Sequence, residues 1–218
     1  IEGGLAKPGL LYGDDYKEFD NQLLKYKIIC DDEDEINNFH LDTIACRFDS
    51  SILYLTIAPT QECNFNCVYC YEKTRTSVYM DEEIEDSIIQ YIKQVNPKKV
   101  VLVWFGGEPL LAVDTICSFH TKISKLSFQL EASIITNGFL LSKEIFLRLL
   151  DCNISQFQIT LDGDEKSHND RRPLLNGSNT YQTIISNLQQ VLNYCSIEKV
   201  INVKFHIRVN IDRSNFSK

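Results

Sequence analysis

The sequence predicts an α/β fold built on a parallel sheet. Segments of strand character alternate with segments of helical periodicity, four times over, and a fifth strand follows. The helices between strands have the length of βαβ crossovers, which are right-handed. Glycine and polar residues collect immediately after successive strands, where sites are assembled in such sheets.

The pattern begins at Ser51. ILYLTIA (52–58) is a short, β-branched apolar run and reads as a strand. DEEIEDSIIQYIKQV (81–95) opens with acids and carries apolar residues at 84, 88, 89, 92 and 95, the spacing of an amphipathic helix. KVVLVWF (99–105) is continuously apolar up to Gly-Gly, which predicts a strand covered on both faces. VDTICSFHTKISKL (113–126) returns to helical spacing, and EASIITNG (131–138) is a strand with a turn. LSKEIFLRLLDC (141–152) is a helix with Ser142 as its N-cap. ISQFQITLDG (154–163) is a strand, and SHNDRR (167–172) falls in the loop after it. TYQTIISNLQQVLNYC (180–195) is a helix opened by Thr180, and VINVKFHIRVNID (200–212) is the last strand. Periodicity leaves open whether the sheet is doubly wound or a barrel, complete or partial.

Residues 1–50 are expected to form an N-terminal extension of helical or irregular character. Its acidic run, Asp31-Asp32-Glu33-Asp34-Glu35, suits a solvated helix N-terminus, where acids complement the dipole. A docking patch for a basic peptide is the sharper alternative.

Composition narrows the class. A net charge of −8 argues against a nucleic-acid partner, because phosphate binding needs clustered Lys and Arg. Apolar runs far below 18 residues predict no membrane span, and no basic segment followed by an apolar one marks a signal peptide. The first residue is not Met, so the chain is expected to begin inside a longer protein. Eight cysteines raise the question of disulfides, but the length and the full-sized core point to a reducing cytoplasm. Cys30, Cys46, Cys117, Cys152 and Cys195 are scattered singly and are expected to be buried thiols.

Cys63, Cys67 and Cys70 are different. They stand in TQECNFNCVYCYEK (60–73), spaced CxxxCxxC, with no fourth ligand nearby. On a helix they would share one face as core thiols, but Asn64, Asn66 and the preceding Pro59 and Thr60 favour a loop. A structural zinc wants four closed ligands, and no spacing supports His40 or Cys46 as the fourth. An iron–sulfur cube fits better. Three thiolates ligate three of its corners and leave one iron open to bind and activate another molecule.

CNFNCVYC, preceded by a strand and followed after the next strand by GGEP (106–109), resembles the cluster loop of the radical S-adenosylmethionine (SAM) superfamily. The resemblance runs from about Ser51 to the last residue. PTQECNFNCVYCYE, ITNGFLL and QITLDGDEKSHNDRR resemble one branch, the peptide- and protein-modifying maturases that carry SPASM or twitch extensions. Sulfatase maturases and enzymes that crosslink ribosomal peptides belong to it. The resemblance implies a partial (β/α) barrel over 51–218, one 4Fe–4S cluster on Cys63, Cys67 and Cys70, and SAM on the open iron. An electron from a donor such as flavodoxin or ferredoxin cleaves SAM to methionine and a 5′-deoxyadenosyl radical. The radical then takes hydrogen from a peptide or protein side chain.

The same resemblance assigns roles. Glu108 and the carbonyls of Gly106 and Gly107 would accept from the methionine amino group, the glycines permitting close approach. Thr136, Asn137, Thr160 and Asp162 would meet the ribose and carboxylate, with local Asx turns as the alternative. Arg208 shares a face with His206 and Asn210 and would pair with the carboxylate in a fork geometry that Lys cannot match, unless this is an ordinary polar face. Tyr69 resembles the aromatic beside the adenine, its alternative being packing under the loop. His168 and Arg172 match an H-x-x-x-R pattern that orders its loop or meets substrate; no catalytic base is assigned. The family's barrel has six βα units and this branch adds a cysteine-rich C-terminal extension, whereas five strands and no such array are seen here. The sequence is therefore read as the front of a longer enzyme or as a shortened relative. A non-catalytic metal- or peptide-binding module, and radical chemistry on a small molecule, stand as alternatives.

Overall fold

The computed structural model describes residues 49–72 and 76–213, with Leu23, Lys25 and Phe216. The chain divides into two compact units, Ile1–Asp49 and Ser50–Lys218, and the second is described below. The acidic run 31–35, Cys30, His40 and Cys46 lie outside the described residues.

Five strands stand parallel in the order β1-β2-β3-β4-β5: Ile52–Ile57, Lys99–Trp104, Gln129–Thr136, Ile154–Thr160 and Lys204–Arg208. Between them run α1 (Glu82–Val95), a 3₁₀ turn (Pro109–Ala112) leading into α2 (Val113–Ile123), α3 (Lys143–Asp151), and α4 (Glu165–Arg171) followed by α5 (Tyr181–Ile197). This sequential order decides what periodicity leaves open. A doubly wound sheet reverses direction at a switch point; here every crossover steps one strand the same way. Right-handed crossovers then put all the helices on one face, as in a partial barrel.

Burial follows that plan. Val100, Leu102 and Trp104 of β2, Ala132 and Ile134 of β3, and Phe157 and Ile159 of β4 are buried in one core. Phe146 of α3 packs on Phe157 at 5.2 Å, and Phe157 stacks on Phe205 of β5 at 5.4 Å. Such aromatic pairs add about 1 kcal/mol each beyond area burial. The opposite face is polar and open: Lys99, Glu131, Gln156 and Lys204 lie across it, with Lys99 Nζ 2.6 Å from Glu131 and Gln156 Nε2 2.9 Å from it. The expectation that β2 is covered on both faces is corrected here. Val101 and Val103 are only half-buried, because they line the uncovered concave side.

Most local signals act as their chemistry requires. Asp81 accepts from Ile84 N–H at 2.9 Å to cap α1, and Ser142 accepts from Ile145 N–H at 3.2 Å to cap α3. Thr180 precedes α5 without capping it, because its hydroxyl donates to the Arg172 carbonyl at 2.8 Å. SHNDRR is largely helical, not a loop: Asp164 caps α4 by accepting from Ser167 N–H at 2.8 Å. β5 is confined to 204–208 and does not begin at Val200. Of the scattered thiols described, Cys152 is buried, whereas Cys117 and Cys195 are half-buried. Cys117 Sγ touches Cys152 Sγ at 3.2 Å, and burial pushes the Cys152 thiol up to about 12.

Two buried imidazoles give the fold an acid limit. His120 Nε2 accepts from Trp104 Nε1–H at 3.0 Å, and His168 Nδ1 accepts from Asp162 N–H at 3.2 Å. Burial pushes each from 6.5 down to about 4. Between those values the unfolded chain binds a proton that the folded chain refuses, so stability falls as pH falls. Each imidazole is expected to remove about 3 kcal/mol by the acid end of that window. Urea unfolding at pH 7 and pH 4.5 measures this; a flat profile contradicts it.

Candidate active site

The three cysteines sit in an irregular loop after β1, as Pro59 and the asparagines require. The loop is clamped on both sides. Upstream, Met80 N–H donates to Pro59 O at 2.8 Å, Gln61 N–H to Val78 O at 3.1 Å, and Thr60 Oγ1 to Val78 O at 2.8 Å. Downstream, Leu175 N–H donates to Asn64 O at 3.0 Å, Asn66 N–H to Pro173 O at 2.7 Å, and Val68 N–H to Arg171 O at 3.0 Å. RRPLL (171–175) thus pairs antiparallel with the cysteine loop itself, a partnership that no periodicity signals. Inside the loop, Phe65 N–H points at Cys63 Sγ (3.4 Å) and Cys70 N–H donates to Cys67 O at 3.2 Å.

GGEP closes on the start of this loop. Gly107 N–H donates to Thr60 O at 3.1 Å and Glu108 N–H to Glu62 O at 2.8 Å. Gly106 has φ +112°, and a Cβ there would lie 2.5 Å from Thr60 O. Both glycines are therefore needed for backbone to meet backbone.

Glu108 is buried and heavily used. Its Oε1 accepts from Thr136 Oγ1 at 2.6 Å and Leu110 N–H at 2.9 Å, and its Oε2 from Asn137 N–H at 2.8 Å. Burial raises its pKa, opposed by these three donors and by the positive charge of Arg172. Asn137 makes the Asx-turn bond to Phe139 N–H (2.9 Å) and also donates to Asn64 Oδ1 at 2.8 Å, tying β3 to the cysteine loop.

A second hub lies across the mouth. Asp162 is fully buried and does not line the cavity. Its Oδ1 accepts from Asn210 N–H at 2.9 Å, and its Oδ2 from the Tyr69 hydroxyl at 2.5 Å and Arg171 Nε at 3.4 Å. The same Tyr69 hydroxyl accepts from Arg172 Nη1 at 2.5 Å and Asn210 Nδ2 at 2.9 Å. Burial, with Asp162 adding to it, pushes Tyr69 up to about 12, so the hydroxyl stays protonated as a donor. His168, through its bond to Asp162 N–H, supports this hub from below and does not reach the cavity.

These elements enclose a cavity of about 340 Å³ at the C-terminal ends of the strands. Cys63, Cys67 and Cys70 line it, with Tyr69 beside them. Gly106, Gly107 and Glu108 line it from β2, and Thr136 and Asn137 from β3. Thr160 and Arg208, partners in the β4–β5 register, complete it. Among the described residues neither side chain has a hydrogen bond or ion pair, so both present unused polar groups to the space. Phe65, Asn64, Arg172 and Asn210 also shape the site; Phe65 and Asn64 carry no sequence signal beyond their place in the cysteine loop.

A three-thiolate cluster fits these residues. The thiols face one space, a backbone N–H points at one sulfur, and a buried guanidinium stands nearby. Among the described residues no three His, Cys, Asp or Glu side chains converge closely enough to share one ion.

Fold and site define an α/β half-barrel whose three-cysteine loop faces a cofactor-sized cavity. The Radical SAM superfamily profile matches residues 57–205, and the chain belongs to that superfamily of oxidoreductases, which use a 4Fe–4S cluster and SAM. GTP 3′,8-cyclase of Campylobacter jejuni subsp. doylei is 30% identical over 151 residues, covering 67% of this chain and 45% of that one. GTP 3′,8-cyclase of Helicobacter pylori is 31% identical over 120 residues, covering 53% and 36%. The chain thus spans less than half the length of these curated relatives. Among solved structures, native anSMEcpe with bound AdoMet and Kp18Cys peptide superposes with a TM-score of 0.61 at 23% identity, covering 72% of this chain and 42% of that one. HydG, a maturase of the FeFe-hydrogenase, superposes with a TM-score of 0.53 at 12% identity, covering 72% and 35%. At these identities the likeness is one of fold. No helix among the described residues is long and apolar enough to cross a membrane.

Proposed function

We propose that this chain carries the radical-generating site of an enzyme that modifies a peptide or protein side chain. The observation behind it is the convergence of the three cysteines, GGEP, Thr160 and Arg208 on one cavity. In this reading Cys63, Cys67 and Cys70 hold three corners of the cluster. Gly106, Gly107 and Glu108 bound the space for the methionine amino group, while Thr160 and Arg208 offer a hydroxyl and a fork to ribose and carboxylate. Asn137, Asp162 and Tyr69 hold the walls in register through the bonds described above. Held there, the cluster and SAM would supply one-electron reductive cleavage and hydrogen-atom abstraction. An electron carrier such as flavodoxin or ferredoxin is the proposed reductant, and residues 51–218 the proposed core, with 1–50 an extension.

The peptide substrate is supported by the maturase-like motifs PTQECNFNCVYCYE and QITLDGDEKSHNDRR; the peptide bound in one relative of the same fold shows only that the fold can take one. A second reading, a small-molecule substrate, is favoured by the likeness to GTP 3′,8-cyclases. Arg208, which lines the cavity, would suit an anionic one.

Anaerobic reconstitution tests the chemistry. About four irons per chain and, with strong reductant and SAM, release of 5′-deoxyadenosine are expected. One tightly held zinc and no cleavage would indicate a metal- or peptide-binding module instead. Cysteine-containing peptides and nucleoside triphosphates, compared for their stimulation of 5′-deoxyadenosine release, separate the two substrate classes.

A further inference from the structure

One buried charge at the site has no carboxylate of its own. Arg171 pairs with Asp162 and, at 2.6 Å, with Asp212. Its neighbour Arg172 is only 7% exposed, and among the described residues no carboxylate lies within ion-pair distance of it. Its side chain donates to the Tyr69 hydroxyl through Nη1, while its buried Nε has no hydrogen-bond partner. The guanidinium lies over the Phe65 ring at 5.5 Å and lines the same cavity as the three cysteines. Asp162 is already engaged by Arg171, Tyr69 and Asn210.

A guanidinium taken out of water without a countercharge is strongly destabilising, so its retention requires negative charge close by. Buried Asp162 and Glu108 feel the charge of Arg172 from beyond ion-pair distance, and Cys67 and Tyr69 are favourable neighbours of it as well. Residues on both sides of that cysteine grip the arginine, through the Phe65 ring and the Tyr69 hydroxyl. Three ligating thiolates would concentrate negative charge at this point.

We propose that Arg172 is the counter-ion of the three-thiolate site and that its charge sets how readily the metal group held there accepts an electron. The inference rests on the cluster reading above. Addition of an electron raises the negative charge of the site, and a desolvated cation beside a ligating sulfur favours the reduced state. Net charge and groups beside the sulfurs are established determinants of cluster potential. Arg172 is thus a positioning residue that acts on the cysteine ligands and not on substrate.

The test compares anaerobically reconstituted wild type, Arg172→Gln and Arg172→Lys, reading iron content and the cluster's midpoint potential by spectroscopic titration. Arg172→Gln is expected to have a more negative potential than wild type, with Arg172→Lys restoring most of the difference. Should Arg172→Gln hold no iron, retention by Arg172→Lys supports the proposal. A wild-type potential in Arg172→Gln overturns it. So does an equal potential shift, or an equal loss of iron, in Arg172→Lys, because the charge would then not be what matters. Failure of the wild type itself to hold iron would refute the cluster reading instead.

Discussion

Cys67→Ala is expected to yield a folded protein that holds almost no iron. Iron after anaerobic reconstitution should fall from about four per chain to near zero, with loss of 5′-deoxyadenosine release. The loop's course does not depend on this thiol. Asn66 and Val68, on either side of it, are held by Pro173 O and Arg171 O, and the Cys67 carbonyl accepts from Cys70 N–H. Those backbone bonds survive the substitution. Cys67 is half-buried against the core, so removing its sulfur should lower the stability of the metal-free protein by only about 1 kcal/mol. Two measurements separate ligand from scaffold: iron and sulfide analysis of the reconstituted protein, and thermal melting of the metal-free form. A variant that assembles a full cluster would show that the ligands have been misassigned.

The contrast between ligand and scaffold also explains what the sequence discloses. The β-α alternation was legible because each strand is a compact apolar run and α1 and α3 carry both a periodic stripe and a side-chain cap. The cysteines and GGEP were legible because thiolate spacing and paired glycines are rare local features. The strip that pairs 64–68 with 171–175 was not, since its bonds are backbone bonds between segments over a hundred residues apart. The use of Asp162 was hidden for a similar reason. A strand-end aspartate reads as a ligand or an Asx turn, and only the tertiary fold brings Tyr69, Arg171 and Asn210 onto its two oxygens. Helix α4 is hidden from periodicity because its seven polar residues carry no apolar stripe; Asp164 at its N-cap is its available signal. A continuous apolar run does not distinguish the two faces of β2, because Val101 and Val103 suit a concave barrel wall as well as a buried sheet.

Gly107→Ala is the substitution expected to disturb the scaffold most. A Cβ on Gly107 would lie 2.2 Å from Glu62 O and 2.6 Å from Gln61 O. Both are backbone oxygens, so no side chain can swing aside. Residues 59–61 are fixed to 78–80 on their far side, and Glu62 O is itself the acceptor for Glu108 N–H at 2.8 Å. Relief therefore requires the cysteine loop to lift off the end of β2, breaking the Gly107–Thr60 and Glu108–Glu62 bonds. Overpacking of this kind, with two hydrogen bonds lost, should remove about 3 kcal/mol or more. In a protein of this size that lowers Tm by roughly 6–12 °C. Gly177 supplies the control: its φ of +82° disfavours a side chain, but nothing lies within 4 Å of the added Cβ. Gly177→Ala should therefore lose only about 1 kcal/mol. Differential scanning calorimetry of the two variants distinguishes steric contact from backbone strain. Similar melting points would mean that the loop yields freely, in which case GGEP does not hold the cysteines in place.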